Sequence, residues 1–156
     1  MRVDVVPEFA FYNAGVNPKV NITLDRLQNR EPLQAMIEVI YENKRIQKET
    51  AELAPGDTEF SFDLKKKVKD GLYRVNLTLE KNGQPVLHTW NGLLVGDLAS
   101  MMSGESFGTN SHFLTRGEKT FPVAGMTYMS SENHRFYFID PNPAVWDADF
   151  KYMKES

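Results

Sequence analysis

A pair of nearby carboxylates can serve as general acid and general base, so glutamates in the polar segments of this sequence are candidates for acid–base chemistry. The candidates are Glu105, Glu118 and Glu132. Each of the three lies in a polar, loop-like stretch, where a carboxylate is ordinarily solvated. The sequence therefore predicts no catalytic residue within its 156 positions.

The residues that commonly bind metals, histidine and cysteine, show no pattern that would indicate a metal or cofactor site. The histidines His88, His112 and His134 are scattered over a strand-like segment and two loops, without the short spacings that histidine metal ligands use. Cysteine is absent, which excludes disulfides and thiolate-bound metals. We therefore expect no metal and no cofactor.

Composition narrows the range of partners. A net charge of -3 gives no electrostatic case for nucleic acid or an anionic membrane surface. No apolar run approaches the roughly 18 residues of a membrane span, and the N-terminus lacks the apolar core of a signal peptide. The absence of cysteine fits a reducing compartment or a bacterial exported protein. An exported location, periplasmic or on the cell surface, is slightly favoured over a cytoplasmic one, and the compartment stays open.

Residues 1–97 have the alternation of β-strands. Segments such as KVNITLD, TEFSFDL and LYRVNLTLE place apolar residues at every second position. Turn signals such as Asn82-Gly83 separate about seven segments of this kind. Short strands at this spacing predict an all-β fold, an immunoglobulin-like antiparallel β-sandwich. The side chains expected inside it are Val20, Ile22, Leu24, Ile37, Val39, Phe60, Phe62, Tyr73, Val75 and Leu77.

Two of these segments have features beyond alternation. Tyr73 follows an Asp-Gly turn, where a tyrosine corner would place a buried ring whose hydroxyl bonds to nearby backbone. An ordinary core aromatic is the alternative for Tyr73. The segment LQAMIEVIY is more continuously apolar, so we expect a central strand that is covered on both faces.

The pattern changes after residue 97. Residues 98–111 are rich in Ser, Gly and Met without periodicity, which predicts a linker or a covering loop. Residues 112–156 begin with a short hairpin, FLTRGEKTFPV, and continue into the apolar run FPVAGMTYM, which is typical of a buried parallel strand. A loop and a helix follow. A lone strand–loop–helix unit has no parallel partner, so we expect the chain to break off at the start of a second domain.

The final helix has clear start signals. Asn142 can cap it, and Pro143 occupies its first position. Trp146, Phe150 and Met153 then form one apolar stripe. Because exposing such a stripe is unfavourable, we expect residues 99–156 to fold back on the sandwich, to pair with a second copy of the chain, or to be poorly ordered.

The segment from residue 112 to 156, HFLTRGEKTFPVAGMTYMSS…FYFIDPNPAVWDADFKYMKES, resembles the start of the catalytic (β/α)-barrel of glycoside hydrolases, the β-galactosidase-like families among them. The sandwich ahead of it is similar in architecture to the accessory domains that precede such barrels. In those families a glycine usually follows the helix motif, and this chain does not contain it. The matching residues are Leu114, Arg116, Gly117, Lys119, Phe121, Pro122, Gly125, Tyr128, Trp146, Asp149, Met153, Lys154 and Glu155.

The resemblance implies a carbohydrate-degrading parent enzyme whose two catalytic carboxylates lie on later barrel strands, outside this sequence. The 156-residue chain is then expected to be inactive. Tyr128, Ser130 and Ser131 stand where the first barrel strand ends, on the face where barrel active sites are built. The resemblance therefore makes them candidate sugar-binding residues of the parent enzyme, with a purely structural role as the alternative for Tyr128.

Three functions remain open from the sequence. The favoured one is the non-catalytic N-terminal sandwich of a glycoside hydrolase, with the remainder of its own barrel as partner. The alternative is a stand-alone immunoglobulin-like binding or adhesion module, with carbohydrate as a candidate ligand; this would need exposed aromatic rings. Trp90, the only tryptophan in the sandwich, has a strand position that predicts core or domain interface. A small complete enzyme is disfavoured by the missing acid pair.

Overall fold

The computed structural model of this chain describes residues 2–25, 31–65, 68–97, 99–100, 103–122, 128–129, 131 and 141–156. Within them lie eleven strands and one long helix. The strands are β1 (Arg2–Pro7), β2 (Phe11–Asn13), β3 (Lys19–Asp25), β4 (Leu33–Tyr41), β5 (Lys44–Leu53), β6 (Glu59–Asp63), β7 (Gly71–Lys81), β8 (Gln84–Gly96), β9 (Phe107–Thr109), β10 (Leu114–Arg116) and β11 (Lys119–Thr120), and the helix is α1 (Pro143–Glu155).

The first eight strands form two sheets that pack face to face. One sheet has the order β1-β3-β6, and the other has the order β2-β8-β7-β4-β5. Every neighbouring pair is antiparallel except β2 with β8, which run parallel. A three-stranded sheet over a five-stranded sheet in this order is an immunoglobulin-like β-sandwich, so the predicted fold class is confirmed.

The core lies between the two sheets, as the alternation requires. Nine of the ten predicted core side chains are buried, and Val20, Ile22, Val75 and Leu77 have no exposed surface. The exception is Phe60, which is partly buried and packs against the edge of the core. The alternating patterns of β3, β6 and β7 therefore identified the inner faces of both sheets.

Tyr73 forms a tyrosine corner at the start of β7. Its hydroxyl donates to the carbonyl of Lys69 at 2.8 Å and accepts from the N–H of the same residue at 2.8 Å. The ring is buried and stacks on Tyr41 with a centroid distance of 4.8 Å. Because the phenol is removed from water, burial raises the pKa of Tyr73. Of the two alternatives for Tyr73, a tyrosine corner and an ordinary core aromatic, the structure shows the tyrosine corner.

Two features of the sandwich differ from the sequence prediction. The strand β2 was not predicted, because three residues are too few for an alternating pattern, and its pairing with β8 is parallel. The strand β4 is not covered on both faces. Its inward residues are buried, whereas outward Gln34 is exposed and Met36, Glu38 and Ile40 are half-buried. Its apolar run was therefore misread as two-sided burial.

Residues 103–122 form a separate three-stranded antiparallel sheet in the order β11-β10-β9. The hairpin β10–β11 was predicted, and Gly117 occupies its turn with a φ of 58°. The strand β9 lies in the stretch that was predicted to be a linker or covering loop. It has no alternating pattern of its own and is ordered by pairing with the free edge of β10.

The helix α1 begins as the sequence predicts. Asn142 is the N-cap, with its side-chain oxygen accepting from the N–H groups of Ala144 and Val145 at 3.2 and 3.3 Å, and Pro143 is the first helical residue. Most of the predicted barrel strand (123–127) and of the following loop (132–140) lies outside the described residues. The predicted first β/α unit and the domain boundaries at 97 and 112 stay predictions.

Candidate functional site

The outward face of the five-stranded sheet is where α1 meets the sandwich. The register between neighbouring strands places Ile40, Arg74 and Gly92 in one row across β4, β7 and β8. The next row contains Glu38, Asn76 and Trp90. Because alternate residues of a strand point to opposite faces, these side chains all lie on the outer face.

Gly92 gives the helix its point of close approach. Residue 92 is buried although it lies on the outer face. A β-carbon added there would lie 2.5 Å from Cβ of Ala144 and 2.8 Å from its backbone nitrogen. Only glycine leaves room for the first turn of α1 at this position.

Asn142 fixes that contact through hydrogen bonds. Its Oδ1 accepts from the N–H of Gly92 at 3.1 Å as well as from the two helix amides that it caps. The neighbouring Asn91 is buried; its side-chain nitrogen donates to the carbonyl of Val5 at 2.7 Å, and its oxygen accepts from Gly92 at 2.7 Å. One polar network therefore joins both sheets of the sandwich to the start of the helix.

A groove of about 770 Å³ runs between α1 and the outer face of β4, β7 and β8. This volume is within the range of about 300–1,000 Å³ that is typical of ligand pockets. Ile40, Arg74, Asn76 and Trp90 of the two cross-strand rows form its floor, and the helix forms one wall. The residues that line it are Ile40, Tyr41, Glu42, Asn43, Asp70, Gly71, Leu72, Arg74, Asn76, Trp90, Ala144, Asp147, Ala148 and Lys151.

Arg74 is the charged group on the floor of the groove, and two neighbours orient it. Its Cζ lies 4.1 Å from the centre of the Trp90 ring, a cation–π distance. Its Nε donates to Oδ1 of Asn76 at 2.9 Å. Within the described residues, Arg74 has no ion pair, whereas Lys151 on the facing helix pairs with Asp147 at 2.6 Å. Among the described residues, two neighbours thus orient the guanidinium and no carboxylate pairs with it.

A second polar cluster includes two of the three predicted sugar-binding residues. The hydroxyl of Tyr128 donates to Oδ2 of Asp149 at 2.6 Å, and the backbone N–H of Ser131 donates to the same oxygen at 3.0 Å. The hydrogen bond from Tyr128, with a smaller effect from Ser131, lowers the pKa of Asp149. Ser130 lies outside the described residues. The structure therefore joins Tyr128 and Ser131 to the helix, and their role toward sugar stays a prediction.

The predicted apolar stripe of α1 does not face the sandwich. At about 100° per residue, Trp146, Phe150 and Met153 lie on the side of the helix roughly opposite Ala144 and Ala148. Phe150 is half-exposed and contacts the ring of Tyr128, with 4.9 Å between centroids. The helix folds back on the sheet as one of the three expected outcomes, but its buried apolar contact is Val145.

The remaining polar candidates are separate from one another. Glu105 lies 3.4 Å from Arg116 in an exposed ion pair, and Glu118 is exposed; Glu132 and His134 are outside the described residues. His88 and His112 are exposed. In the described part of the chain, no three His, Cys, Asp or Glu residues are grouped as a metal site would need. None of its helices is long and apolar enough to cross a membrane.

The residues that build the groove were not predicted from the sequence. A glycine inside a strand pattern signals a close backbone approach, and Gly92 in HTWNGLLV carries that signal. Arg74 and Asn76 sat at outward positions of an alternating strand, which by itself indicates only a solvated face. Their association with Trp90 depends on the β7–β8 register. Trp90 is half-buried and lines the groove beside α1, and its predicted place at a domain interface stays a prediction.

No protein-family model and no curated protein matches the chain. Among solved structures, one match is the CARDB domain of the PF1109 protein from Pyrococcus furiosus, in complex with di-metal ions. It is 12% identical, with a TM-score of 0.39, over 61% of this chain and 89% of that one. A likeness this low carries no argument, so the class, an immunoglobulin-like β-sandwich protein, rests on the strand order. The comparisons give no support to a glycoside hydrolase barrel.

Proposed function

We propose that this chain is a non-catalytic immunoglobulin-like binding module whose five-stranded sheet holds the helical segment that follows it. The observation that carries the proposal is the junction at Gly92, where a missing side chain admits α1 and Asn142 bonds to both strand and helix. Buried polar networks specify one arrangement of the groups they join. The sandwich would then act by positioning the segment after it.

Limited proteolysis tests this role. Gly92→Ala should displace α1 and speed cleavage within residues 141–156, because the added β-carbon overlaps Ala144. Gly104→Ala is the matched control, since a β-carbon at residue 104 meets nothing within 4 Å. Equal cleavage rates in the two variants would contradict the proposal.

The finer form of this proposal is an accessory domain of a glycoside hydrolase. Its support is the resemblance of residues 112–156 to a barrel start, in which Tyr128 and Asp149 both belong to the matched pattern and are hydrogen bonded. The side of α1 that carries Trp146 and Phe150 also points away from the sandwich. Among the described residues, the buried Nε1 of Trp146 has no acceptor. Barrel strands packed on that side would cover both side chains, and Tyr128, Ser130 and Ser131 could then line a sugar pocket.

Sequence and activity together test the accessory role. The gene is expected to encode further barrel strands after codon 156, and the extended chain should hydrolyse at least one member of a panel of aryl α- and β-glycosides. The 156-residue chain should hydrolyse none, because a glycosidase needs two carboxylates held about 5–10 Å apart. Activity in the short chain that is lost on changing Glu105, Glu118 or Glu132 would overturn this. A continuation without a barrel pattern would leave only the binding module.

A second candidate function is carbohydrate binding in the groove between α1 and the sheet. Trp90 favours it, because tryptophan rings and amide side chains are what protein sites offer to sugar faces and hydroxyls. Asn76 and Asn43 supply the amides. Calorimetric titration of the chain with neutral and acidic oligosaccharides tests this function, and failure of every one of them to bind would contradict it.

A further inference from the structure

Arg74 gives the groove a preference for one kind of ligand group, a carboxylate, which the second proposed function does not specify. A guanidinium has a planar fork of donors that matches a carboxylate in two parallel hydrogen bonds. Arg74 uses Nε for Asn76 and one face for Trp90. Its two terminal nitrogens have no ion-pair partner within the described residues. The fork is therefore pre-oriented, which reduces the entropy lost when a ligand binds.

The charges around the groove limit what kind of anion it would accept. Glu42, Asp70 and Asp147 line it together with Arg74 and Lys151, so acids outnumber bases. A polyphosphate or a nucleic-acid backbone would need several free cations. Lys151 is already paired with Asp147. A single carboxylate can meet Arg74 while the rest of its molecule stays neutral.

The other lining groups suit the neutral part of such a ligand. The side chains of Asn76 and Asn43 offer both donors and acceptors to hydroxyl groups. Trp90 and Ile40 give the groove an apolar floor. Ala144 and Ala148 have small side chains, so they take up little space on the helical side of the groove. A ring with several hydroxyls and one carboxylate matches these groups.

We propose that the groove between α1 and the outer sheet binds uronic-acid units of carbohydrates, with Arg74 as the carboxylate-binding residue. This inference rests on the second proposed function, carbohydrate binding in the same groove. The carboxylate of the uronate would lie against the terminal nitrogens of Arg74, and its hydroxyls would lie toward Asn76.

Calorimetric titration of the full chain with oligogalacturonate and with its methyl ester tests the proposal, because the ester keeps the sugar and removes the charge. The acid form should bind about ten- to a hundredfold more tightly, as charge-assisted hydrogen bonds predict. Arg74→Gln should abolish that preference. Arg116→Gln, which changes an exposed arginine of the separate β10 strand, should leave it unchanged.

The outcomes separate this proposal from the function on which it rests. Equal binding of acid and ester, unaffected by Arg74→Gln, would overturn the carboxylate preference and leave carbohydrate binding in place. Acetate binding as tightly as the oligosaccharide would overturn the assignment to sugar acids. No binding of either oligosaccharide would overturn both. Near-ultraviolet circular dichroism of Arg74→Gln checks that a loss of binding is not a loss of fold.

Discussion

The β-sandwich and the three-stranded sheet that follows it are both built mainly of antiparallel strands, yet their apolar side chains differ in exposure. In the sandwich, Val20, Ile22 and Leu77 are completely buried between two facing sheets. In the sheet β9–β11, Phe107 is 62% exposed, and Phe113, which directly precedes β10, is 59% exposed. The aromatic pair there, Phe107 with Phe121, has a centroid distance of 5.1 Å but lies at the surface.

The difference follows from the number of layers. The two sheets of the sandwich cover each other's inner faces, whereas no second sheet of the described residues packs on β9–β11. The sandwich is therefore stabilised by its own core. In the C-terminal part, the hydrogen bond from Gly92 to Asn142 joins the helix to the sandwich, and the hydrogen bond from Tyr128 to Asp149 joins the helix to the segment before it. Mutations in the two regions should have effects of different size.

The largest expected effect is a core truncation in the sandwich. Leu77→Ala should lower the free energy of unfolding by about 2–5 kcal/mol, because it removes a fully buried side chain and leaves a cavity. Chemical denaturation measures it. Val86→Ala on the half-exposed outer side of β8 is the control and should change stability by less than about 0.5 kcal/mol. Similar losses in both variants would contradict the assigned register.

A smaller effect is expected at the start of α1. Asn142→Ala removes the acceptor for two helix amides and for Gly92, so we expect the helix to lose about 1–2 kcal/mol of local stability. Amide exchange of residues 143–155 measures this loss. Asn142→Asp keeps an acceptor and should remain close to the native protein. Unchanged amide exchange rates in Asn142→Ala would show that Asn142 does not stabilise the contact between α1 and the sheet.

The tyrosine corner should give an effect of about 0.5–1.5 kcal/mol. Tyr73→Phe removes both hydrogen bonds to Lys69 and keeps the buried ring. Because burial raises the pKa of Tyr73, the unfolded chain ionises first, and native stability should fall as pH rises above the usual tyrosine pKa of about 10. Denaturation at several alkaline pH values should show a shallower decline in Tyr73→Phe. Equal slopes would contradict a buried, neutral phenol.

The smallest expected effect is the acid sensitivity of the Tyr128–Asp149 contact. Because hydrogen bonds lower the pKa of Asp149, the contact is present at neutral pH and is lost as pH falls through a value below the usual aspartate pKa of about 4. The amide resonance of Ser131 should report this titration. Tyr128→Phe should move the midpoint upward, and Asp149→Asn should abolish it. A titration midpoint that is the same in Tyr128→Phe as in the native protein would contradict the assigned hydrogen bond.

The sequence predicted those parts of the fold that are encoded locally. Alternation in β3, β6 and β7 gave the inner face of each sheet, and the cap signals at Asn142 and Pro143 gave the start of α1. The strands β2 and β9 were missed, since three residues carry no period and their pairing is decided by a neighbouring edge.

The candidate site was less predictable than the fold. Tyr128 and Ser131 were selected from a resemblance, and the structure places both on Asp149. The groove depends on the register that sets Arg74 beside Gly92 and Asn76 beside Trp90. It also depends on where α1 packs. Both are long-range properties, and no short motif in the sequence contains them.

The sandwich holds α1 against the outer face of β8, and proton–proton distances in solution can test this packing. A nuclear Overhauser effect between the Ala144 methyl group and the backbone protons of Gly92 should be strong, because a β-carbon added at residue 92 would lie only 2.5 Å from Cβ of Ala144. The amides of Val145 and Trp146 should also be protected from exchange. Absence of this effect, together with exchange of α1 at the rate of an unstructured peptide, would contradict the account.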